Sequence, residues 1–286
     1  HAYKLHIEDM LGLWMAFTAY LFTSFVNAGL HRFHSNLGSV RSMQGRINEM
    51  SLLLHTYANK NDGEGENKPL SEAMRLLTAL TYCVYSTPEL GGCQAEYFST
   101  QATSHLSKDQ SDSLSKINPS DRTFTIMMWL SRTVLENTEN SSRNNINPAF
   151  SNPHASFSTA VVNCMERFRG QYGTLTDNLE DPILPFPFAN LTIANIYLIF
   201  IVLPFSIVHK LGYALIPAGA IYFWFLEGMI TFVFFVDQPF YDKFASKRKK
   251  EFHPLIDAHS VTDGTVRSLP RRFPAALAHE PKYHVE

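Results

Sequence analysis

His31 and His34 stand three positions apart, a spacing that puts two imidazoles on one side of a helix where they can ligate a metal. With Glu49 or His55 as a further donor, that chemistry would make the chain a membrane enzyme or a metal protein. No second conventional cluster supports it, and solvated or interfacial histidines explain the same residues. Cys83, Cys93 and Cys164 are odd in number, widely spaced and free of any CxxC pair, so neither a disulfide framework nor a zinc site is expected. Asn140-Ser141-Ser142 and Asn190-Leu191-Thr192 are formal glycosylation acceptors, as chance supplies in an Asn- and Ser-rich chain. The loop hydroxyls and carboxylates form no catalytic spacing. The expectation is therefore no enzyme, no catalytic residue, no metal and no cofactor.

A different pattern is more specific. Pro185-Phe186-Pro187 stands just ahead of a long apolar run that holds no acid between Asp181 and Glu227. Proline fixes φ and withholds a backbone donor, so this block makes a rigid lead-in to whatever follows. The N-terminus of a following helix would present free N–H groups and partial positive charge to an anion.

The elements behind these residues are helical. Of the 286 residues, 17% are charged and the formal net charge is -2, which argues against nucleic acid as a partner. The apolar residues concentrate at the two ends of the chain, while the middle is rich in Ser, Asn, Thr and Asp. Met10 to Leu30 runs for about twenty residues without a charge, enough to cross the roughly 30 Å hydrocarbon layer as a helix. Asn190 to Val208 and Leu211 to Leu226 are also uncharged, with His209 and Lys210 between them, and read as a helical hairpin that stops at Asp237–Pro239. A basic run, Lys247-Arg248-Lys249-Lys250, follows closely and marks a cytoplasmic, stromal or matrix side. Between Arg32 and Leu179 the apolar positions recur at helical spacing, as in Val40, Met43, Ile47, Met50 and Leu54. Asn59–Pro69 and Asn137–Ser156 read as loops, Ser107 to Ser120 as a polar segment, and Ser120 or Asp121 as the cap of the helix that follows.

In sequence order these blocks resemble the bestrophin family of anion channels, in its bacterial and plant-plastid branch. The resemblance rests on "PFPFAN" leading into "IYLIFIVLPFSIV", on the turn "HKLGY", and on the terminal "DQPFYD". Upstream, "FVNAGLHRF", "RSMQG" and "MERFRGQYGTL" are similar to family segments, with about one extra helical turn after Phe33. The likeness runs from about Leu11 to Phe240.

The resemblance implies an all-α integral membrane protein with a large helical bundle on the soluble side. Residues 1–245 would form the channel core, with membrane helices at about 10–31, 190–209 and 212–236 and soluble-side helices between 35 and 180. Residues 246–286 would form a basic, proline-containing tail. The implied function is passive passage of chloride or another small monovalent anion, through a homopentamer in a lipid bilayer. The pore neck would be Phe17, Leu21 and Phe25, one helical turn apart; counting back from Arg32-Phe33 without a gap gives Ala16, Tyr20 and Ser24 instead. The aperture would be Phe186, shaped by Pro185 and Pro187, with Leu184 as the fallback. Rings of apolar residues at such a neck can close by dewetting.

Departures from the family pattern set further expectations. Gln238 stands where the family has Asn, and a basic run replaces its acidic cluster after Asp242, so no calcium clasp is expected. The family's first membrane helix would precede this chain's Met10 helix, and is expected upstream of residue 1 or missing. That leaves a second reading: a non-conducting, bestrophin-derived structural subunit among the neighbours of a larger membrane complex. A plastid thylakoid or envelope membrane is the favoured location, ahead of the mitochondrial inner membrane and the plasma membrane.

Overall fold

The computed structural model describes residues 2–57, 68–91, 94–144, 156–180, 186–237, 258 and 261–266. Among them the chain is helical throughout, without a strand. In order the helices are α1 (Ala2–Tyr57), α2 (Lys68–Cys83), α3 (Pro88–Gly91), α4 (Ala95–Ser104), α5 (Lys108–Ser115), α6 (Pro119–Asn144), α7 (Ser156–Glu180), α8 (Phe186–Leu211) and α9 (Leu215–Asp237). They fall into two compact units, residues 1–37 with 177–239 and residues 38–176 with 240–286. The all-helical class expected from the sequence is the one observed among the described residues.

Several boundaries differ from the sequence expectation. The helix that holds the expected 10–31 span runs beyond it; α1 continues unbroken to Tyr57, because no proline interrupts it and the helical period of apolar residues carries on. The polar segment after Ser107 contains a helix of its own. Ser107 accepts from the Gln110 backbone N–H while the Ser107 N–H donates to Gln110 Oε1, a reciprocal cap that starts α5. Pro119 opens α6, where its missing N–H costs nothing. The hairpin turn lies a little later than His209–Lys210: α8 runs on to Leu211, and Gly212 takes φ +52 at the start of a short 3-10 turn, Gly212–Ala214, that leads into α9.

The unit of residues 38–176 is built around α2. From Ala73 to Thr87 almost every side chain is buried, and Leu76, Leu77 and Leu80 lie among the largest fully buried groups. Each such leucine contributes about 1.5–3 kcal/mol over an exposed one. Phe98 from α4, Leu114 from α5, Ile126 and Leu130 from α6, and Phe157 and Phe168 from α7 complete the core. A helical turn at 261–266 also seats in this unit. The Gln44 side-chain amide donates to Val261 O at 3.1 Å and to Thr265 Oγ1 at 3.0 Å. The expected C-terminal tail therefore includes a docked piece; the basic run lies outside the described residues.

The thiols here are structural. Cys83 and Cys164 are free and buried. Burial, and then the nearby Glu49 carboxylate, push the Cys164 thiol up to about 12. Cys93 lies outside the described residues.

His105 stacks on Tyr82 with ring centres 5.7 Å apart and planes 5° from parallel. Burial, and secondarily the charge of Arg75, hold its pKa below the ordinary 6.5. An unfolded chain therefore binds a proton below pH 6.5 that the folded chain refuses, so stability falls as pH drops through that window. Half-buried His55 is lowered by burial and acts in the same direction. Thermal unfolding followed by circular dichroism should show a midpoint that declines on acidification from pH about 7 to about 5. His105→Phe, which keeps the stack, should flatten that decline; an unchanged slope would refute the assignment.

Candidate functional site: the two faces of α1

In the unit formed by residues 1–37 and 177–239, α1 packs against the α8–α9 hairpin. Trp14, Thr18, Leu21, Phe25 and Gly29 recur at spacings of three and four, and this row faces inward. The Trp14 indole N–H donates to Asn195 Oδ1 at 3.1 Å, and the Asn195 amide donates to Leu191 O at 2.8 Å, so this polar pair on an apolar hairpin is satisfied. Ile196, Leu226 and Ile230 form the hairpin's own cluster, with Phe22 packed on it. At Gly29 the backbone comes so close that an added Cβ would lie 3.1 Å from Val233 Cγ1. Small residues at such crossings let membrane helices approach.

Asn178 of α7 donates to Ser35 Oγ at 3.3 Å and Asn36 Oδ1 at 3.0 Å at the far end of this segment. Across the hairpin, the Tyr197 hydroxyl donates to Glu227 Oε2 at 2.9 Å, and Phe200 packs on Phe223 with ring centres 4.7 Å apart. The hairpin's outer surface exposes Leu198, Ile201, Phe205, Ile221 and Trp224. Apolar residues all round, left uncovered on the outside, suit a hydrocarbon surrounding rather than water. Two helical segments, Met10–Tyr57 and Gly212–Val233, are long and apolar enough to cross a membrane; the corresponding described stretch of α8, Ala189–Val202, is shorter.

The three residues expected at the neck do not share one exposed face. Phe17 is 51% exposed, whereas Leu21 is 4% and Phe25 2% exposed because both turn into the packing against the hairpin. Four-residue steps on a 3.6-residue helix drift by about 40° each, enough to carry Phe25 off the face that Phe17 occupies. The gap-free alternative divides as well: Ala16 and Tyr20 are exposed and Ser24 is half-buried. The face left uncovered is instead Leu13, Phe17, Tyr20, Asn27 and His31, at 77% for Leu13 and 69% for Tyr20. Leu13, Asn27 and His31 were not singled out as pore residues by the sequence reading. Their alternation of four- and three-residue steps, through Ser24, is the signal that would have found them.

The proline block is only partly described. Leu184 and Pro185 lie outside the described residues; Phe186 and Pro187 open α8, and their side chains are outside as well. The stretch after Gln238, where a calcium clasp would lie, is also outside. His31 and His34 are exposed, while Glu49 pairs with Arg46. Among the described residues no group of three or more His, Cys, Asp or Glu is placed to hold a metal ion.

This arrangement of helices has counterparts among solved structures. A point variant of a bacterial bestrophin homologue from Klebsiella pneumoniae superposes with a TM-score of 0.70, at 12% identity, over 92% of this chain and 86% of that one. A second variant of a Klebsiella pneumoniae bestrophin homologue gives 0.69 at 13% identity over the same shares. The chain has the bestrophin fold. No protein-family profile and no curated protein matches the sequence, so the bestrophin fold is visible here in three dimensions and not in overall identity. Within the bestrophin fold, the buried row of α1 holds the hairpin and the exposed row is left for something else.

The close approach at Gly29 gives a test of that packing. Gly29→Leu should lower the midpoint of thermal unfolding in detergent, by the about 1–3 kcal/mol typical of overpacking. Adding Val233→Ala should restore part of it. Equal loss in the single and double variants would show that the two residues do not meet.

Proposed function

We propose that the chain is a subunit of a passive channel for chloride or another small monovalent anion, and not an enzyme. Copies of α1, five in the bestrophin resemblance, surround a shared axis with Leu13, Phe17, Tyr20, Asn27 and His31 turned toward it. The observation that carries this reading is that uncovered row on a helix without a charge from Met10 to His31, in a chain with the bestrophin fold. The upper part of the row is apolar or aromatic, so it can exclude water when narrow and pass a weakly hydrated anion when wider. Asn27 and His31 supply hydrogen-bonding groups nearer the charged end of α1.

Phe186, held by Pro185 and Pro187, forms the second constriction. Its place at the first turn of α8 puts it beside free backbone N–H groups, which attract an anion without a lysine or arginine. Conduction is independent of calcium, since two acids beside a basic run make a poor site for that ion. The membrane is that of a plastid, with the basic tail on the stromal side.

The alternative is a non-conducting subunit of a larger membrane complex. The same uncovered row favours it, because exposed Leu13 and Tyr20 would pack equally well on an unrelated helix.

Reconstitution separates the two. Liposomes carrying the purified chain should dissipate a chloride gradient, unaffected by a calcium chelator. Phe17→Ala and Tyr20→Ala should raise the flux severalfold. Phe25→Ala should lower the unfolding temperature without that gain. Liposomes that remain tight with a correctly folded protein would favour the structural subunit.

A further inference from the structure

Where α1 runs through the unit of residues 38–176, its exposed positions down to Asn48 are Gly38, Arg41 and Gly45. Arg41 also ends a longer series. Leu13, Tyr20, Asn27, His34 and Arg41 stand seven residues apart on one unbroken helix, and all five are exposed. A straight helix drifts by about 20° per heptad, so a strict seven-residue repeat belongs to helices that wrap left-handed about a common axis.

The two glycines leave Arg41 alone on this stretch. A Cβ added at Gly38 or at Gly45 would meet nothing within 4 Å, so no neighbouring group requires the backbone to be bare there. Glycine weakens a helix interior, and close packing explains neither one. Their effect is open space on both sides of a single guanidinium. Arg41 has no hydrogen bond and no ion pair among the described residues. Other arginines of the unit are engaged: Arg46 pairs with Glu49, Arg75 with Glu72 and Arg132 with Glu136, while Arg122 donates to Ile117 O at 3.1 Å. Glu49, the next acid along α1, is thus matched by Arg46, and the charge of Arg41 is left over. A guanidinium is a permanent, weakly hydrated cation.

We propose that Arg41 is the residue that selects charge. Copies of α1 about the shared axis set a ring of guanidinium groups in a glycine-flanked passage, which draws small monovalent anions and turns cations away. Rings of charged side chains set selectivity in this manner. The inference rests on the channel reading above and adds a selecting group, since the row from Leu13 to His31 holds no lysine or arginine.

The full chain is reconstituted in liposomes under a potassium chloride gradient, and the zero-current potential gives the chloride-to-potassium permeability ratio. Wild type should favour chloride. Arg41→Lys should keep that preference, Arg41→Gln should lower it severalfold, and Arg41→Glu should favour potassium. Arg41→Gln decides alone if the charge reversal does not fold. The gap between wild type and Arg41→Gln should be wide at about 10 mM salt and narrow toward 1 M, as the screening length falls from about 30 Å to about 3 Å. A merely structural role for Arg41 would not follow salt. Arg132→Gln, at an exposed arginine of α6, should leave the ratio unchanged. Tight wild-type liposomes would overturn the channel reading and this inference with it. A wild type that conducts without preferring chloride, or whose ratio Arg41→Gln does not move, would overturn this inference alone, as would an equal shift in Arg132→Gln.

Discussion

A helix in hydrocarbon must satisfy its own backbone, because no water is there to do it. The membrane unit of this chain is a response to that constraint. Its helices carry almost no charge, turn at a glycine with positive φ, and pair polar side chains across helix contacts. Trp14 reaches Asn195, and Tyr197 reaches Glu227. Not every buried polar atom is matched: the Thr18 hydroxyl and the Asn36 amide nitrogen have no hydrogen-bond partner among the described residues.

The same constraint gives α1 two competing tasks. One row must hold the hairpin, and it takes the residues that pack best: Leu21, Phe25 and the close-fitting Gly29. The opposite row must remain available to whatever surrounds the protomer. A rotation of the helix by about a third of a turn would carry the exposed row onto the hairpin, so the rows' identity is fixed by the hairpin contacts. Apolarity does not fix it, since Leu13 and Phe17 of the exposed row are as apolar as Leu21 and Phe25 of the buried one. For this reason Phe17, Leu21 and Phe25 look equivalent in sequence and are not equivalent in space.

Helix type, the two apolar ends and the presence of a hairpin were legible because each is a local property: an uncharged run, a period, a polar pair between apolar stretches. The continuity of α1 past residue 31 was not, because the uncharged run ends at Arg32 and the pattern turns amphipathic there. The structure carries one helix through this point. Asn36 is fully buried and accepts from Asn178, a residue distant in sequence. The docked turn at 261–266 was hidden for a similar reason, as Gln44 recognises it through one carbonyl and one hydroxyl that carry no pattern in the sequence. Local signals give elements, whereas long-range hydrogen bonds decide which face of an element is used.

Glu227 shows how a polar group can be informative in this setting. It is the one acid between Asp181 and Asp237, and a carboxyl group at such a place is costly unless it is bonded. Tyr197 meets it from α8 at 2.9 Å, and the Tyr197 ring also lies near Phe223 of α9, with centres 6.4 Å apart. The hydrogen bond therefore fixes the register of α8 against α9 where dispersion alone would be indifferent to sliding. That register sets which hairpin residues face α1. Ile196 is one position from Tyr197, and Leu226 is one position from Glu227; both are buried in the cluster on which Phe22 packs. A polar contact on the half-exposed side thus determines the apolar contact on the buried side, and through it which row of α1 remains uncovered.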